Sequence, residues 1–186
     1  MPQLTEAQKK IQSKLIPGWV DRLKKNNVPS NVIPLLISQI ILESNWFTSN
    51  AYLKDNNPAG ITWNKNYLKR PGASIGIKRP SVESGNYVHF ENLDFAVIDY
   101  LRVISQNGVL GKPIDSTNYI EYAKRLKANK YYTSPLDDYI GGMKAQLTRI
   151  YKWFDIEALL KKKTSFKIIS GLVSVVILLY IFRKKF

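Results

Sequence analysis

Residues 32–50 read VIPLLISQIILESNWFTSN, an almost unbroken apolar run that ends in a carboxylate, Glu43, followed by Trp46 and Phe47. The run is long enough for three helical turns, and Pro34 is tolerable only near its first turn, so a buried helix is predicted here. At 100° per residue, Ile33, Leu36, Ile37, Ile40 and Ile41 centre on one direction and Glu43 projects about 90° from it. That puts Glu43 on the rim of the buried face. A partly desolvated carboxyl has a raised pKa, as a general acid near neutral pH requires, although a solvated Glu at a helix end fits the periodicity as well.

Around this helix the pattern is mainly helical. The TEAQ segment, residues 5–8, has capping-box form and opens a helix expected to stop near Pro17-Gly18, with a second helix from about Trp19 to Asn26. Residues 55–90 are rich in Asn, Gly and Pro and contain a β-hairpin at IGIKR and NYVHF, flanking Ser84-Gly85. Helical patterns resume in DFAVIDYLRVISQNG, TNYIEYAKRLKAN and LDDYIGGMKAQLTRIYKWF. The expected fold class is α+β, mainly helical, with a small β-hairpin. One domain is expected over residues 1–157, then a basic linker over 158–165 and a C-terminal segment over 166–186.

That last segment differs in kind. From Phe166 to Phe182 it holds 12 Phe, Ile, Leu or Val residues covering every helical direction. Insertion scales favour it by about 4–7 kcal/mol, enough to absorb Ser170 and Ser174. Its 17 residues reach about 25 Å, and Lys167, Arg183 and Lys184 can snorkel to the two interfaces of a bilayer core of about 30 Å. The segment is expected to be a transmembrane anchor. The polar N-terminus, MPQLTEAQKKIQSKL, has no signal-peptide pattern.

The inventory narrows the chemistry. The 186-residue chain has no Cys and a single His, His89, so a zinc site, a disulfide framework and His-based triads are not expected, and no cofactor is called for. Catalysis would have to run on carboxylates, hydroxyls and amides. With 28 Lys and Arg against 14 Asp and Glu, the net charge is +14, which suits anionic partners such as a cell-wall polymer or acidic lipid. Nucleic acid is not expected, because the aromatics are too dispersed for a stacking groove.

Three segments resemble a known family. ILESNWFTS resembles the ILESGWGTS element of the glycoside hydrolase family 73 endo-β-N-acetylglucosaminidases, peptidoglycan hydrolases of lysozyme-like fold. NNPAGI, residues 56–61, is similar to that family's NNLFGI, and YYTSP, residues 131–135, to its YATDP. The three occur in the family's order. The resemblance implies that Glu43 is the general acid, Tyr131 the active-site tyrosine, and Trp46, Asn56, Asn57 and Gly60 parts of the sugar cleft. Phe47 stands where the family has glycine, Pro58-Ala59 where it has Leu-Phe and Ser134 where it has aspartate, departures expected to alter the subsite lining.

Glycoside hydrolysis usually takes a second carboxylate. In the family it lies on the hairpin, which implies Glu83, with Asp55, Glu91 and Asp94 in reserve; Asp94 also reads as a helix N-cap. The other route uses the substrate's own N-acetyl group, positioned by Tyr131. Trp19, Trp153 and Phe154 read as core and His89 as structural. Trp63, Tyr67 and Tyr87 are evenly balanced between core and sugar platforms, with Tyr87 the candidate sugar contact.

The reading that follows is a membrane-anchored peptidoglycan hydrolase cutting between N-acetylglucosamine and N-acetylmuramic acid, located in a host inner membrane or a phage virion and serving entry or lysis. Its rivals are a lytic transglycosylase of the same fold and an inactive wall-binding protein. The partners expected are glycan strands and membrane lipid.

Overall fold

The computed structural model describes residues 5–80, 84–106 and 116–162. Seven α-helices and one two-stranded antiparallel sheet are present among them. The architecture is the expected mainly helical α+β one.

Helix α1 runs unbroken over Glu6–Lys25, through Pro17. The expected break there does not occur. A proline inside a helix costs about 3 kcal/mol, but Ile16, Trp19, Val20 and Leu23 form one stripe that is at most 1% exposed. Burying such side chains stabilises by about 1.5–3 kcal/mol each, so the stripe outweighs the proline. α1 ends where Asn27 turns left-handed (φ 60°) and the Val28 amide closes back on the Leu23 carbonyl at 3.1 Å.

Helix α2, Ile33–Glu43, is the axis of the domain. Every residue from Ile33 to Ile41 is buried, as expected of a helix wrapped on all sides, here chiefly by α6 and α1. Beyond it Asn45, Trp46 and Phe47 are all left-handed (φ 47°, 59° and 62°), with the Phe47 amide donating to Ser44 Oγ at 2.9 Å. This turn drives both aromatics inward. Phe47, 2% exposed, stacks on Trp19 and meets Tyr52, with ring centroids 6.5 and 5.2 Å away.

Helix α3, Asn50–Asp55, is capped by Ser49 and leads to a hairpin of β1 (Ala73–Lys78) and β2 (Asn86–Phe90). Ile75 pairs with Val88 but Lys78 with Asn86, so β1 carries one extra residue. Asp55 fills that bulge. Its Oδ2 accepts from the Ile77 amide at 2.9 Å, and its Oδ1 lies 3.2 Å from His89 Nδ1. A Cβ on Gly76 would sit 2.6 Å from the same carboxylate, so only glycine fits there.

Helix α4, Leu93–Gln106, starts from Asn92, whose side chain accepts from the Asp94 and Phe95 amides. The expected cap was Asp94; instead Asp94 lies in the first turn and binds Arg22 at 2.8 Å. Then come α5 (Tyr119–Ala128), α6 (Leu136–Trp153) and α7 (Ile156–Lys161). The segment read as a linker from residue 158 thus begins inside a helix. Among the described residues no helix is long and apolar enough to cross a membrane. The expected anchor, 166–186, lies outside them, as does Glu83.

Candidate active site

A cleft of about 730 Å³ opens beside the C-terminal end of α2. Leu42, Glu43 and Tyr139 line it together with three other parts of the chain: Ala59 to Thr62, the hairpin residues Arg79 and Tyr87, and the loop from Asn129 to Ser134. Each wall has its own fastening. Asn57 is fully buried and staples the first loop: its Nδ2 donates to the Ile61 and Val88 carbonyls, and its Oδ1 accepts from the Ile61 amide, all at 2.9 Å. Asn56, left-handed at φ 50°, donates to the Phe90 carbonyl at 2.8 Å.

Across the cleft, α5 ends with Lys130 left-handed (φ 57°), and the Tyr131 amide returns to the Leu126 carbonyl at 2.9 Å. Lys127 Nζ then holds the Thr133 and Ser134 carbonyls at 2.8 and 2.6 Å. These bonds set Tyr131 on the cleft wall with a buried hydroxyl that has no partner among the described residues. Its neighbour Tyr132 stacks flat on Tyr139 at 3.7 Å.

Glu43 is half-buried at the inner end of the cleft. Burial pushes its carboxyl pKa above the usual carboxylate value, and the hydrogen bond donated by Tyr139 to Oε1 at 2.8 Å works in the opposite direction. Burial outweighs the bond, so the neutral acid is favoured. Tyr131 is pushed well above its ordinary value by burial and then by the negative charge of Glu43. The site therefore combines a carboxyl of raised pKa, a tyrosine bonded to it and a second tyrosine whose hydroxyl is buried. Such a carboxyl can donate a proton to a leaving oxygen.

Of the other residues singled out in the sequence, Gly60 and Tyr87 line the cleft, Tyr87 with the Arg79 guanidinium 5.7 Å from its ring centroid. Asn56 and Asn57 hold the loop from behind. Trp46 is elsewhere: it is 8% exposed, packs on Trp153 at 5.7 Å and lies under the Arg149 guanidinium. Phe47 is in the core, so the Gly-to-Phe departure acts on packing and leaves the cleft lining alone. Ser134 does line the cleft, and Ala59 with it. Tyr67 is a core residue that donates to Asp99 at 2.7 Å, and Trp153 is partly exposed rather than core.

Of the reserve carboxylates, Asp55 is committed to the bulge and Asp94 to Arg22. Asp138 lines the cleft and was not singled out in the sequence; nor were Tyr139 and the buried Gln39. Gln39 had a readable signal, since it is the one amide in an apolar helix and sits one turn before Glu43.

The family model described as mannosyl-glycoprotein endo-beta-N-acetylglucosaminidase matches residues 18–152. The chain belongs to this glucosaminidase family. It is accordingly a glycosidase of the endo-β-N-acetylglucosaminidase type. The matched residues begin within α1 and end in α6, so they include all the cleft walls. A solved structure, the catalytic domain of the autolysin Auto from Listeria monocytogenes, is similar over 84% of this chain and 90% of that one, with 16% identity and a TM-score of 0.48. A search of curated proteins gives no match.

Proposed function

We propose that this glucosaminidase hydrolyses peptidoglycan at the β-1,4 bond between N-acetylglucosamine and N-acetylmuramic acid, with Glu43 as the general acid. The observation that carries the reading is the carboxyl lining the cleft, its pKa raised by burial, which accepts a hydrogen bond from Tyr139. Protonation of the glycosidic oxygen by Glu43 lets the bond break toward an oxocarbenium-like state. Tyr131, on the cleft wall, is the residue assigned to position the N-acetyl group of the sugar at that centre.

Water attack is then assisted by the substrate amide or by a second carboxylate, Glu83. Tyr87 and Gly60 supply a ring face and open backbone for the glycan. The charge of +14 favours an anionic wall. The apolar run from Phe166 to Phe182, with basic residues at both ends, supports a membrane setting, that of the host or of a virion.

Mass spectrometry of the soluble products from purified peptidoglycan tests the bond. Reducing N-acetylglucosamine ends are expected. Anhydro-muramyl ends would make the chain a lytic transglycosylase, and binding without cleavage would make it a wall-binding protein.

A further inference from the structure

Behind Glu43 lies a closed set of buried hydroxyls around one amide. Gln39, fully buried on α2, accepts at Oε1 from Tyr100 of α4 at 2.6 Å and from Tyr122 of α5. Its Nε2 donates to the Tyr139 hydroxyl at 3.3 Å, and Tyr139 donates to Glu43 Oε1 at 2.8 Å. The direction of each bond follows from the inventory of donors. When Glu43 is ionised its carboxylate only accepts, so in that state the single Tyr139 proton points to Glu43, and the other neighbour of that hydroxyl must be a donor. Gln39 must therefore turn its NH₂ to Tyr139 and its carbonyl to Tyr100 and Tyr122, whose hydroxyls can both donate. Reversing the amide would leave Tyr139 facing two acceptors with one proton.

We propose that Gln39 is a positioning residue for the reaction: held against Tyr100 and Tyr122, its amide offers Tyr139 only a donor, so that once Glu43 has released its proton the Tyr139 hydroxyl donates to Oε1 of the carboxylate. The inference rests on Glu43 being the general acid. Gln39 touches no substrate; it acts through Tyr139. The bonds reinforce one another in sequence, since each hydroxyl or amide that accepts or donates is polarised by the next. The charge of Glu43 acts on Tyr122 of α5, Tyr131 of the loop that follows it and Tyr139 of α6, raising the pKa of each hydroxyl. Asp138, Lys130, Arg79, Tyr87 and Tyr132 are the other ionisable groups in the lining.

The test is the pH profile of kcat/KM. A general acid is active while protonated, and a bond donated to its ionised form lowers its pKa, so losing that bond moves the alkaline limb to higher pH. Tyr139→Phe, which deletes the bond, and Tyr100→Phe/Tyr122→Phe, which frees the amide to reverse and draw the Tyr139 proton to Gln39, are each expected to move that limb up by about one pH unit. When all three changes are combined the limb should move no further than in Tyr139→Phe alone, because both remove the same bond.

A folded Tyr100→Phe/Tyr122→Phe enzyme with its limb in the wild-type place overturns the proposal, and so does a fully additive shift. If that pair does not fold, the single variants Tyr100→Phe and Tyr122→Phe replace it. Each loosens the hold on the amide, and an upward shift in either supports the proposal while an unmoved limb in both overturns it. Activity retained in Glu43→Gln would instead remove the assignment of Glu43, a result distinct from an unmoved limb in an enzyme that Glu43→Gln silences.

Discussion

Glu43 is held in a site that favours its neutral form, and this has a cost whenever the group ionises. Because burial raises its folded-state pKa above the ordinary carboxylate value, the native state holds the proton more tightly than the unfolded chain. Its contribution to stability is therefore fully present in acid and is lost as pH rises from the unfolded value through the folded one. Glu43→Gln should match the wild type in Tm near pH 4 and exceed it at pH 7–8, as differential scanning calorimetry would show; an advantage that shrinks with rising pH contradicts the sign. Phe47 presents a contest between two effects. A left-handed non-glycine residue is strained by about 1–2 kcal/mol, whereas truncating a buried Phe costs about 3–5 kcal/mol. Phe47→Gly should therefore lower stability by about 2 kcal/mol in urea unfolding, even though related sequences carry glycine at the matching place.

At the scale of elements, the hairpin depends on Asp55 fitting a bulge over a bare glycine. Gly76→Ala places a Cβ against a buried carboxylate at 2.6 Å, and overpacking of that kind costs about 1–3 kcal/mol. Since the hairpin carries Arg79 and Tyr87 into the cleft, the variant is expected to lower Tm and raise KM for glycan more than it lowers kcat. Steady-state kinetics with a soluble glycan would show the split. The hairpin and α2 were both legible in the sequence, because alternation and a continuous apolar run are local patterns. The continuity of α1 was not, since the burial that overrides Pro17 comes from partners distant in the chain. The cap of α4 was misplaced by two residues because Asn92 and Asp94 carry equally suitable side chains, and only the backbone turn distinguishes them. Trp46 followed from its place in a motif, but its backbone is left-handed and turns it to Trp153.

Over the whole molecule, the three motif segments converge on one cleft, although they are separated by as much as 90 residues of chain, and this convergence accounts for how much of the site could be read in advance. What escaped was the support behind the site: Gln39, Tyr100, Tyr122 and Tyr139 come from four helices, and no local pattern joins them. The strong positive charge and the apolar run beyond residue 165 lead to a prediction at this scale. The full chain should float with liposomes at both low and high salt, while a chain ending at residue 162 should stay in the soluble fraction and bind purified wall in a salt-sensitive way, because screening weakens surface charge attraction above about 0.1 M. Flotation that disappears on adding salt would point to surface adsorption and contradict an inserted helix.

The most direct measurement is the rate at which Glu43→Gln clears purified peptidoglycan, taken alongside its circular dichroism spectrum and Tm. A general acid contributes about 10²–10⁴-fold, so a loss of at least about 100-fold is predicted in a protein that is folded and no less stable than the wild type. A folded Glu43→Gln protein clearing the wall within a few-fold of the wild-type rate would contradict the assignment of this cleft as the catalytic centre.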